Sequence, residues 1–184
     1  MVKNTKKIIV SIILVLLVIT ICSLLIFFNI NKGIINTEGV KVYYRVYTKN
    51  SGWSRWYQNG QIAGNSNEAI LAVEAKVKTD KVGNILYNIY SSNNTFDDND
   101  SYNGETAGDK ERPIYGIKFF ITDDLFKDYQ IYYRTHNKKD GWLEWTSKYN
   151  ISGDNEVDID QVQIKVLKID DYFNQNIEKA SIGF

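Results

Sequence analysis

The chain has 184 residues, with 22 lysines and arginines against 22 aspartates and glutamates. It therefore lacks the basic surplus that counterion release rewards in nucleic-acid binders, and no nucleic-acid partner is expected. A single cysteine, Cys22, and a single histidine, His136, exclude a disulfide framework, a cysteine-ligated metal site and a cysteine protease within the chain.

Residues 8–28 form an apolar run interrupted only by Ser11, Thr20, Cys22 and Ser23. As a helix this run is about 31 Å long, matching a bilayer core. Lys3, Lys6 and Lys7 precede it and only Lys32 follows closely, which keeps the amino terminus in the cytoplasm. A cleaved signal peptide has a shorter centre, about 7–15 residues, followed by small residues. Here Phe27, Phe28 and Asn29 stand at that place, and Ile19-Thr20-Ile21-Cys22 puts isoleucine where a lipoprotein site carries a small residue. The alternative of a buried core helix meets a run that is apolar on every face. The expectation is an uncleaved signal-anchor. Residues 1–32 are then the cytoplasmic tip and transmembrane helix, with the lipid bilayer as partner of residues 8–28, and residues 33–184 are extracellular. The outer part carries 18 basic and 22 acidic residues, a mildly acidic balance that favours solubility over docking on anionic phospholipid.

The outer part repeats itself. An offset of 89 positions superposes Tyr43-Tyr44-Arg45 on Tyr132-Tyr133-Arg134, Gly52-Trp53 on Gly141-Trp142, Trp56 on Trp145, Gly64 on Gly153 and Lys76-Val77 on Lys165-Val166. An offset of 44 finds a middle copy, with Tyr43 on Tyr87, Asn59-Gly60 on Asn103-Gly104, Ala63-Gly64 on Ala107-Gly108 and Val73 on Ile117. The copies run over 40–79, 84–123 and 129–168. In the first, Val40, Val42, Tyr44 and Val46 alternate with polar or aromatic neighbours as one strand. Lys49 to Gly52 make a turn, Trp53 to Gln58 a second strand, Asn59-Gly60 a hairpin-type turn and Ala63-Gly64-Asn65 a bend. Leu71, Val73, Ala75 and Val77 give the inward face of a third strand. Pro113 suits the start of the last strand of the middle copy. No helix is expected outside the leading segment, and 182–184 offer a closing strand.

A unit of about 44 residues cannot bury its own apolar face, so three are expected to close on a common core. The fold class is all-β, with pseudo-three-fold symmetry. A β-prism of three small sheets is favoured by the strand count, and a β-trefoil is the alternative.

Tyr44, Tyr47, Gly52-Trp53, Trp56, Asn59-Gly60, Ala63-Gly64 and the strand around Val73-Glu74-Ala75 resemble the clostridial hydrophobic W (ChW) repeat. In the third copy Tyr133, His136, Gly141-Trp142, Trp145, Ser152-Gly153 and Val162-Gln163-Ile164 match it. The resemblance covers residues 40–168. It implies a surface-exposed extracellular module of mainly low-GC Gram-positive bacteria, often in tandem, that binds carbohydrate or protein. The middle copy departs, with Phe96, Asp97 and Asp100 where Gly-Trp and Trp belong.

Trp53, Trp56, Trp142 and Trp145, with Tyr47 and His136, are the candidate ligand-binding residues. An exposed indole face is a platform for a sugar ring or a peptide aromatic; alternatively each pair plugs the junction between units. Positions three apart in a straight strand face opposite sides, which would send one ring of each pair inward. Asp97, Asp98, Asp100, Asn103 and Glu105 form an oxygen-rich loop, and Asp154, Glu156, Asp158 and Asp160 alternate as on one strand face. Calcium favours such sets, but the EF-hand spacing fails and a solvated loop accounts for the charges. His136 has no serine or cysteine nucleophile motif beside it. No catalytic residue, metal or cofactor is expected. The function expected is that of a non-catalytic, membrane-anchored binding module for a cell-surface glycan or protein. The alternatives are a scaffold subunit of an envelope assembly, or a hydrolase or its accessory domain.

Overall fold

The computed structural model describes residues 39–91 and 95–169, together with Leu17 and Thr20. The chain divides into two units, 1–36 and 37–184. In the first, Leu17 and Thr20 are helical and the Thr20 hydroxyl donates to the Leu17 carbonyl at 2.8 Å. The rest of the expected anchor, like the closing strand expected at 182–184, lies outside the described residues, among which no helix is long and apolar enough to cross a membrane.

The second unit is all-β, and alternation of apolar residues organises it. Strand β1 (Lys41–Thr48) buries Val42, Tyr44 and Val46 and turns Lys41, Tyr43, Arg45 and Tyr47 outward. It runs antiparallel to β5 (Ile70–Lys78), with Tyr44 opposite Ala75 and Val46 opposite Val73. The same long hairpin recurs as β6 (Ile85–Ser91) with β9 (Ile114–Ile121), Tyr87 opposite Phe119. It recurs again as β10 (Tyr129–Asn137) with β14 (Ile159–Lys168), Tyr133 opposite Ile164. Each ladder slips by one residue near the same end, between Tyr47 and Thr48, Tyr90 and Ser91, and His136 and Asn137.

Two-residue strands fill the intervals. β2 (Gly52–Trp53) and β3 (Tyr57–Gln58) pair with β1, as β11 (Gly141–Trp142) and β12 (Thr146–Ser147) do with β10. In the middle segment β7 (Ser101–Tyr102) pairs with β6. The remaining short strand always leaves its own segment. β4 (Ala63–Gly64) pairs with β14, β8 (Thr106–Ala107) with β5, and β13 (Ser152–Gly153) with β9. The three sheets are thereby joined in a cycle, and none closes on itself. Glycine makes the hand-over feasible. A Cβ at Gly64 (φ +93°) or Gly108 (φ +96°) would stand 2.2 Å from the Asp160 carbonyl oxygen or 2.4 Å from that of Leu71.

All three hairpins contribute to one apolar cluster. At its heart Tyr44, Tyr87 and Tyr133 are fully buried, and each donates its hydroxyl proton to a carbonyl of its own segment, Gln61, Glu105 and Asn150 respectively. The Phe119 ring packs against both Tyr87 and Tyr133, at centroid separations of 5.6 and 5.1 Å.

Several local expectations are corrected. Trp53 to Gln58 is not one strand, because residues 54–56 leave the ladder between β2 and β3. The Ala63-Gly64 bend is a strand that pairs with a distant hairpin. In the middle segment Tyr44, rather than Tyr43, is the counterpart of Tyr87. Phe96 bridges Tyr90 as Trp53 pairs with Tyr47, so the middle segment carries one extra residue between Phe96 and Ser101. A helix, α1 (Asp123–Asp128), joins β9 to β10 and buries Leu125; Asp123 and Asp124 in its first turn and Lys127 in its last complement the helix dipole. Six residues are too few for a helical period to show in the sequence.

Candidate binding site

The outward face of each sheet is where the candidate residues collect. Because the chain leaves the ladder at residues 54–56, neither ring of the first tryptophan pair enters the core. Trp53, Trp56, Trp142 and Trp145 are all half-buried. Each pair straddles an arginine of the neighbouring long strand. The Arg45 guanidinium carbon lies 4.6 Å from the Trp53 ring centroid and 4.7 Å from that of Trp56. Arg134 lies 4.7 Å from both Trp142 and Trp145. A lysine then reaches the second ring of each pair: Lys76 Nζ is 4.0 Å from the Trp56 centroid, and Lys165 Nζ is 4.5 Å from that of Trp145. Tyr47 meets Trp53 edge-on at 5.5 Å, and His136 meets Trp142 edge-on at 5.3 Å. The six candidates thus belong to two equivalent aromatic–cation clusters rather than one pocket.

The clusters differ in what holds the arginine. Arg45 Nε pairs with Glu74 at 2.7 Å, and the other Glu74 oxygen accepts from Thr106 Oγ1 at 2.8 Å. Arg134 Nε donates instead to the neutral Gln163 side chain at 2.8 Å. His136 is tied by Nδ1 to Asp160 at 2.6 Å, and the Asp160 carboxylate is almost wholly buried. Burial, followed by the adjacent Arg134 charge, lowers the pKa of Lys165.

The middle sheet rebuilds the arrangement from other residues. Phe96 and Tyr149 flank Lys118, whose Nζ lies 4.2 and 4.3 Å from the two ring centroids. Tyr149 comes from the third segment, on a turn where Lys148 (φ +56°) and Tyr149 (φ +65°) adopt left-handed backbone. Its hydroxyl donates to Asp100, the residue standing where the second tryptophan was lost. An aromatic–cation–aromatic layer therefore covers all three sheets, and part of its role is to seal their outer faces.

Open space adjoins both tryptophan pairs. A groove of about 610 Å³ is lined by Tyr43, Trp56, Lys76, Val77, Lys78 and Thr79. A smaller one of about 320 Å³ lies beside Trp145 and includes Glu144, Ile151 and Ser152. No protein-family model, curated protein or solved structure matches the chain. The ChW resemblance accordingly rests on the residues that carry it.

Several members of the acidic stretches are used internally. Asp97 accepts from the Gly108 amide at 3.2 Å, Asp100 from Asn88 Nδ2 at 2.9 Å, and Glu105 from the Tyr102 amide at 2.8 Å. Residues 154–158 precede β14 as a loop rather than forming one strand face; Asp154 pairs with Lys139 at 3.4 Å and Asp160 with His136. Among the described residues no group of three potential metal ligands converges. Sequence reasoning passed over Arg45, Lys76, Arg134 and Lys165 as site residues. The signal was there, in the arginine of the repeated Tyr-Tyr-Arg and the lysine of the repeated Lys-Val, kept in register with the tryptophans.

Proposed function

We propose that the chain is a single-pass, membrane-anchored surface protein whose outer part consists of three ChW-type repeats closed as a pseudo-three-fold β-prism. That part binds a cell-surface glycan and does no chemistry. The prism is preferred to the trefoil because the sheets remain three open units linked in a cycle, whereas a trefoil needs a barrel closed on itself. The observation that carries the binding reading is the groove beside Trp56, where a half-buried indole, a tyrosine and lysines converge at the surface. Glycan-array binding by the full chain in detergent, lost in Trp56→Ala while the circular dichroism spectrum is kept, supports it. Absence of binding to any glycan, with the protein folded, refutes it.

A scaffold role, docking another envelope protein, is the second reading. It is favoured by the cations that lie over both tryptophan pairs, since a covered ring stacks poorly on a sugar. Stoichiometric co-purification of one envelope protein from membranes, abolished by surface changes around Trp145, distinguishes it.

A further inference from the structure

The outer domain is acidic overall, yet its charges are not evenly spread. On the outward face of the β1–β5 hairpin, Lys41 stands directly opposite Lys78, Tyr43 opposite Lys76 and Arg45 opposite Glu74. Lys41, Lys76 and Lys78 are exposed, and among the described residues none of the three is paired with a carboxylate. The one acid on the face, Glu74, is buried and already held by Arg45 and Thr106. Like charges placed directly opposite in a ladder repel and weaken it, so the Lys41–Lys78 pair costs the sheet stability that a bound anion would restore.

The corresponding face of the third segment is built differently. Tyr132 and Leu167 take the places of Tyr43 and Lys78 and are almost fully buried. Lys165 lies against the Asn59-Gly60 turn, where a Cβ on Gly60 would meet its Cε at 2.7 Å. The matching glycine beside Lys76, Gly104, has nothing within 4 Å of such a Cβ. Lys76 thus lies over Trp56 but stays exposed to solvent, whereas Lys165 is tucked in. The groove by Trp145 carries Glu144.

We infer that the groove formed by Tyr43, Trp56, Lys76 and Lys78, and not its counterpart in the third segment, is a single site for a polyanionic glycan whose sugar or polyol units carry carboxylate or phosphate groups. This rests on the glycan-binding reading above and narrows it to one ligand class and one copy. A groove of about 610 Å³ accommodates a short stretch of such a polymer. The lysines meet successive anionic groups; Lys76 leaves the Trp56 ring to do so, which opens that ring, with Tyr43, to the apolar ring faces. Association is steered by charge and weakened by salt.

The test uses the full chain in neutral nanodiscs, titrated with four probes: oligogalacturonate, poly(glycerol phosphate), neutral oligogalactose and phosphatidylglycerol vesicles. Binding to one or both anionic polymers is expected, at least tenfold weaker in Lys76→Gln/Lys78→Gln or at high salt, and unchanged in Lys139→Gln, an exposed lysine of the third segment. The polymer bound more tightly identifies the anionic group. Equal binding of the neutral oligomer, or no effect of the lysine pair, overturns the inference while leaving glycan binding in place. Binding to no soluble glycan overturns both, and binding to the vesicles alone assigns the face to a membrane surface and overturns the inference.

Discussion

Replacing Gly64, Gly108 or Gly153 by alanine attacks the points where each segment hands its short strand to a neighbour. All three have positive φ, and an added Cβ would stand 2.2, 2.4 and 2.2 Å from the carbonyl oxygens of Asp160, Leu71 and Tyr115. Gly104 is the control, since it also has positive φ (+106°) but nothing within 4 Å. Left-handed backbone alone costs an alanine about 1–2 kcal/mol. At Gly64 the strands must in addition move apart by about 1 Å, which disrupts the pairing of Ala63 and Gly64 with Val162 and Gln161, at about 1 kcal/mol for each hydrogen bond lost. The expected loss is about 3–4 kcal/mol for Gly64→Ala, Gly108→Ala and Gly153→Ala, against about 1–2 kcal/mol for Gly104→Ala. In melting temperature this is about 10–15 °C against about 5 °C. Urea and thermal unfolding followed by circular dichroism measure both. Three junction variants no less stable than Gly104→Ala would refute the hand-over.

Arg45→Ala leaves the buried Glu74 carboxylate without its cation and is expected to cost about 2–3 kcal/mol, more than Arg134→Ala, whose partner Gln163 is neutral. Glu74→Gln in the Arg45→Ala background should recover much of the loss in a double-mutant cycle, and equal costs for the two arginines would contradict the assignment. Burial pushes the Tyr87 hydroxyl from its ordinary 10 up to about 12, and burial raises Tyr44 and Tyr133 in the same direction. The unfolded chain releases these protons first, so this stabilisation is complete below pH 10 and is lost as pH rises from 10 through about 12, by about 2 kcal/mol for Tyr87. Urea midpoints should fall over that range and fall less steeply in Tyr87→Phe; an unchanged slope would contradict the linkage. Tyr149→Gly relieves a left-handed backbone but removes a ring from Lys118 and Phe120, and a net loss of about 1 kcal/mol is expected from unfolding curves. A gain in stability would show that the ring seals nothing.

The strands were legible where burial imposes strict alternation. Val42, Tyr44 and Val46, and likewise Val162, Ile164 and Val166, face inward as their spacing requires. The two-residue strands were not, because a pair such as Ala63-Gly64 has no period, and its partner lies almost a hundred positions away. The middle register slipped by one because the aligned tyrosine pair, Tyr43 and Tyr44, offered two equally good matches to Tyr87; the shared hydroxyl-to-carbonyl bond and the strand pairing separate them. For the site, the tryptophans were conspicuous by type. Their partners Arg45 and Lys76 read as ordinary outward charges, since cation–π contact depends on where residues 54–56 leave the ladder.

The cyclic exchange of short strands is tested most directly by cross-strand nuclear Overhauser contacts in the isotopically labelled full chain. The account predicts contacts of Ala63 with Val162, of Ala107 with Val73 and of Ser152 with Ile117. Ladder contacts of each short strand with the returning strand of its own hairpin instead, Ala63 with Val73, Ala107 with Ile117 or Ser152 with Val162, would contradict it.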